Sequence, residues 1–66
     1  MTNESLRHNP SITFEQAIEV WQLHWEGLYQ HQIAARLFTN PGRINDVLKE
    51  RKHIGSREAA LSGRSA

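Results

Sequence analysis

A chain of 66 residues with no cysteine and 38% hydrophobic content has room for one small domain, which neither disulfides nor a thiolate zinc site can brace. No apolar run approaches the roughly 18 residues of a membrane span, and the opening MTNESLRHNP is too polar for a secretory signal. The net charge of +1 divides unevenly: residues 1–28 set Arg7 against four glutamates, 1 − 4 = −3, while residues 29–66 hold seven basic and three acidic side chains, 7 − 3 = +4, an asymmetry that suits a polyanion as well as an unevenly charged solvated surface.

In chain order, residues 1–12 lack apolar periodicity and contain Asn3, Asn9, Pro10 and Ser11, so a flexible arm is expected. Thr13 is a good N-cap, with Gln16 three positions on and Glu15 near the positive end of the helix dipole. Phe14, Ala17, Ile18, Trp21, Trp25 and Leu28 then recur at helical spacing on one face, predicting a first helix from Phe14 to Glu26 that Gly27 stops. Ile33, Ala34 and Leu37 mark a second, Gln30 to Leu37, too short to stand without packing. Asn40 and Pro41 read as N-cap and first helical residue of a third, Pro41 to Lys52, with Ile44, Val47 and Leu48 inward. Ser56 can cap a turn through Leu61, but Gly55, Gly63 and the small terminal residues predict a largely disordered tail over 54–66. No strand, repeat or low-complexity block is expected.

Counted from Gln30 as position one, Ile33 and Ala34 fall at four and five, Leu37 at eight, Ile44 at fifteen, and Val47 and Leu48 at eighteen and nineteen. A small residue at Ala34 lets two helices approach, while Ile33, Leu37, Ile44 and Val47 fill the angle between them. On these residues, QHQIAARL followed by GRINDVL, the stretch 13–52 resembles the helix-turn-helix domains of small bacterial and phage regulators. Phe38 departs from the family pattern, standing where glycine is common, as does Thr39, where an apolar residue is common. The resemblance implies an all-α, three-helix domain over 13–53, flanked by flexible tails, that binds double-stranded DNA in the cytoplasm of a bacterial cell or phage-infected host.

With Ile44, Val47 and Leu48 inward, the outward side of the third helix carries Gly42, Arg43, Asn45, Asp46 and Lys49. Arginine matches the guanine edge and asparagine the adenine edge; Asp46 can accept from cytosine or orient Arg43 across three residues; Gly42 lets the helix approach. Gln30, His31 and Gln32 at the start of the second helix, Asn40, and Arg51 and Lys52 at the end of the third are candidate backbone contacts. In the resemblance, a glutamine at the position of Gln30 clamps a phosphate.

Trp21 and Trp25 read as core rather than a base-stacking platform. Val20, Leu23 and His24 are expected to point away from the core face, as scattered surface or the edge of a homodimer. Together with the acidic first helix, that patch supports the alternative function, a helical protein-interaction module such as a phage-encoded inhibitor or adaptor of a host protein. His8, His24, His31 and His53 have no metal-ligand spacing, and Glu15, Glu19 and Glu26 read as a solvated face. No metal, cofactor, small-molecule substrate or catalysis is expected.

Overall fold

Thr13 opens the first helix in the predicted way. In the computed structural model, which describes residues 11–64, Thr13 Oγ1 accepts the Gln16 N–H and Gln16 Oε1 accepts the Thr13 N–H, both at 3.0 Å. The reciprocal pair satisfies two orphan donors and starts α1, Phe14–Trp25. Three further helices follow: α2, Gln30–Arg36, α3, Pro41–Leu48, and α4, Ser56–Arg64. Among the described residues there is no strand, and no helix is long and apolar enough to cross a membrane. The all-α expectation holds, with four helices where the sequence predicts three.

Each of the first three helices ends by the same device. One residue enters the left-handed region, its N–H bonds back across three residues, and the next N–H bonds back across five. After α1 the residue is Gly27 (φ 102°), with Gly27 N–H to His24 O at 3.0 Å and Leu28 N–H to Leu23 O at 3.2 Å. After α2 it is Phe38 (φ 57°), with Phe38 N–H to Ala35 O at 3.4 Å and Thr39 N–H to Ala34 O at 2.9 Å. After α3 it is Glu50 (φ 59°), with Glu50 N–H to Val47 O and Arg51 N–H to Asp46 O, each 2.9 Å. The third closure corrects the predicted helix from Pro41 to Lys52: the reversal at Glu50 cuts it at Leu48.

Closure at Phe38 is unusual because a bulky residue at positive φ crowds its own carbonyl. Packing does not compensate for the strain, since Phe38 is 83% exposed.

The core joins all four helices. Ala17, Val20, Trp21 and Leu23 of α1 meet Ile33 and Ala34 of α2, Ile44 and Val47 of α3, and Ala60 of α4. Val20 and Leu23, expected on the surface, are buried; of that trio only His24 is exposed. The reason is that α1 packs against α4 as well as against α2 and α3, so its apolar arc must be wide. With Val20 and Leu23 in the core, the surface expected for a protein partner is reduced to His24 and the exposed glutamates of the first helix, Glu15, Glu19 and Glu26.

The chain after residue 53 is a second correction. Instead of a disordered tail it forms α4, whose Ser56 is buried and accepts the Trp21 indole N–H at 3.1 Å. Arg57 lies over the same indole, 5.9 Å from its centroid, and Ala60 closes the contact. Order also begins ahead of Thr13: Ile12 is in the core, and its carbonyl hydrogen-bonds His53 Nε2. Residues 1–10 of the predicted arm, with Arg7 and His8, lie outside the described residues.

Two stability measurements follow. Phe38→Gly should raise stability by about 0.5–1 kcal/mol, seen as a higher urea midpoint, because relief of left-handed strain outweighs the added freedom of the unfolded chain; a loss would mean that Phe38 is held by packing. Ser56→Ala should lower stability by about 1–3 kcal/mol by stranding the buried Trp21 N–H, and an unchanged midpoint would show that α4 is not anchored there.

Candidate nucleic-acid interface

Asn40 builds the start of α3. Its Oδ1 accepts the Arg43 N–H at 3.0 Å, and Pro41 occupies the first helical position. Gly42 follows for a local reason as well: a Cβ there would stand 3.1 Å from Asn40 Oδ1, crowding the cap. Asn40, expected as a DNA-backbone contact, is therefore committed through its oxygen to holding the helix.

From that start, three sides of α3 separate. Ile44 and Val47 are buried, with Ile44 at 0% exposure and Ala34 of α2 at 1% in the same core. Gly42, Asn45 and Lys49, spaced three and four apart, share the stripe away from that core; Gly42 and Lys49 are exposed and Asn45 is half-buried. Arg43 and Asp46 share a flank. Both were expected to project outward, but Arg43 is half-buried, and its Nε is shielded from solvent without a hydrogen-bond partner among the described residues. Its place, one turn before the buried Val47, lays the stem along the domain instead of away from it. Asp46 pairs with Arg51, Oδ1 to Nε at 3.4 Å, rather than orienting Arg43 as the spacing suggested.

The first turn of α2 is organised by Gln32, whose Oε1 accepts the Tyr29 N–H at 2.8 Å. That bond makes Gln32 a capping residue, with its NH2 end left to donate. His31 is exposed and stacks against Tyr29, centroids 6.0 Å apart and planes at 14°. Gln30 reaches across to α3: its Nε2 donates to Asn45 Oδ1 at 3.4 Å, a long and exposed bond. Arg51 and Lys52 are exposed, but beyond the end of α3 rather than on it.

Sequence reasoning missed the region where those last residues arrive. A cleft of about 60 Å³ lies between Ser11 and Ile12 ahead of α1, Arg43 and Asp46 of α3, and Lys52 and His53 after it. Its signal was Ile12, an isolated apolar residue in a stretch taken for an arm.

Comparison with known protein families, curated proteins and solved structures finds no match to this chain. The structural and exposed members of the site can be told apart by mutation. Asn40→Ala should cost about 0.5–2 kcal/mol of stability through the lost cap, while Lys49→Ala should change it by less than about 0.5 kcal/mol; equal losses in urea denaturation would reject this division.

Proposed function

We propose that this protein is a sequence-preferring binder of double-stranded DNA, a small transcriptional regulator of bacterial or phage type whose α2–turn–α3 unit is a helix-turn-helix and whose α3 enters the major groove. The observation that carries the reading is the stripe of Gly42, Asn45 and Lys49 set opposite Ile44, with Ala34 buried beside that isoleucine. A helix held from behind by small and branched apolar residues offers its polar side to a groove with little freedom to tilt.

Within this reading, Asn45 reads an adenine edge through its amide. Gly42 keeps the first turn slim where the groove floor is nearest. Lys49 contributes to a base or a phosphate. Gln30 has two uses, orienting the Asn45 amide through their shared bond and donating to the DNA backbone; His31, Arg51 and Lys52 add backbone contacts. Arg43 is reassigned from base reading to the flank, because its Nε is already enclosed, and Asp46 to the control of Arg51.

Selection from a random duplex pool followed by titration at several salt concentrations tests the proposal. Affinity should fall steeply as salt rises, and Lys49→Gln should reduce the log–log slope by about 1. Asn45→Ala should cost about 1–3 kcal/mol on the selected site and nothing on random duplex. Duplex binding without salt sensitivity, or no enriched sequence, would overturn the reading.

A further inference from the structure

The last helix is held by one neighbour. Among the described residues α4 packs on α1 and on no other helix. Ser56 accepts the Trp21 indole N–H at 3.1 Å, Arg57 lies over the same ring, and Ala60 is fully buried. A helix of nine residues has too few hydrogen bonds to persist alone, so α4 is helical because it is docked. The face of α1 around Trp21 is therefore a docking surface whose occupant is seen: the segment SREAALSGR.

Whether that segment comes from the same chain depends on the connection at residues 53–55. His53 and Gly55 both lie in the left-handed region, φ 54° and 101°, and these two reversals return α4 to its own α1. Gly55 straightens at no steric cost. His53 is strained as it stands, since a side chain at positive φ crowds its carbonyl. Straightening relieves that strain and gives up two hydrogen bonds, from the Ser56 N–H to the His53 carbonyl and between His53 Nε2 and the Ile12 carbonyl. The two sides are of comparable size, so the connection itself holds α4 to its own chain only weakly. Short connections under strain favour exchange between copies.

Ile54 adds an observation of a different kind. It stands between the two reversals and is 74% exposed, a large apolar side chain left in water.

We propose that this protein dimerises by exchanging α4, the helix of each copy docking on the Trp21 face of the other. Every α1–α4 contact is kept in the exchanged pair, which is closed and twofold. The two straightened connections pass each other at the axis, where the Ile54 side chains cover one another, and this apolar contact is absent from the monomer. The exchange does not rest on the DNA reading, because it uses none of the residues assigned to DNA.

The test uses the full chain. Sedimentation at rising concentration should show a monomer–dimer equilibrium with unchanged helical content. In dimer refolded from an equal mixture of chains labelled with heavy nitrogen and chains labelled with heavy carbon, NMR should show the Trp21 indole N–H in contact with Ser56 of a differently labelled chain. Two variants should move the equilibrium in opposite directions. Ile54→Ser should raise the dimer dissociation constant about tenfold and leave the thermal midpoint of the monomer unchanged. Gly55→Val, whose side chain is incompatible with the left-handed reversal but not with an extended connection, should lower that constant by about tenfold or more. A chain that stays monomeric up to millimolar concentration overturns the proposal. So does a dimer whose Trp21–Ser56 contact remains within one labelled chain, or a Gly55→Val variant that loses stability without dimerising.

Discussion

Left-handed closure at the helix ends is the constraint on which this structure depends. Helices of 12, 7 and 8 residues cannot offset the cost of nucleation alone, so each must be delivered to its neighbour within a few residues. A single residue at positive φ does this three times, and the side chains bracketing each closure settle what it holds. Leu23 and Leu28 bracket the first and join the core. Ala34 and Thr39 bracket the second, where a small residue must sit for α2 and α3 to meet. Asp46 and Arg51 bracket the third, and their ion pair stands where an apolar contact commonly does.

The third closure has the widest consequences. By stopping α3 at Leu48 it leaves the stripe of Gly42, Asn45 and Lys49 short, on one helical face with nothing beyond it to lift the helix from a partner. It also turns Arg51, Lys52 and His53 back toward Ile12, so that the end of one helix and the approach to another share a cleft. One backbone conformation at Glu50 therefore shapes both the outward stripe and the enclosed flank.

What the sequence made legible follows from how each feature is encoded. Thr13 with Gln16, Asn40 with Pro41, and Gly27 are local signals, and the starts of α1 and α3 and the stop of α1 were readable from them, while α2 was readable from the spacing of Ile33, Ala34 and Leu37. Phe38 and Glu50 carry no such signal, because nothing in a phenylalanine or a glutamate announces positive φ, and the end of α3 was accordingly placed too late. The helix α4 was missed for a different reason: SREAALSGR has little apolar content of its own, and its order comes from Trp21, which lies 35 residues away from Ser56. The clue was on α1, where Val20 and Leu23 extend the apolar arc beyond what two partner helices can cover. Spacing placed Asn45 and Lys49 on the side of α3 away from the core, as found, but it could not show that Arg43 would be enclosed or that Asp46 would turn to Arg51, since both depend on where the chain goes after Leu48.

The departures from local rule are not spread evenly. Among the described residues outside 38–53 the left-handed positions are glycines, Gly27 and Gly55, and the buried polar side chains are matched, as in the Trp21–Ser56 pair. Between them, Phe38, Glu50 and His53 all adopt positive φ without being glycine, and Arg43 carries an enclosed N–H without an acceptor. A small domain has a thin stability margin, and α1 follows local preference at both ends, with the Thr13–Gln16 cap and a glycine stop. Chains tend to retain strain where geometry serves a purpose other than stability. The concentration of strain in and around α3 is thus an argument, independent of any charge pattern, that the working surface lies in this half of the molecule and that α1 and α4 form its support.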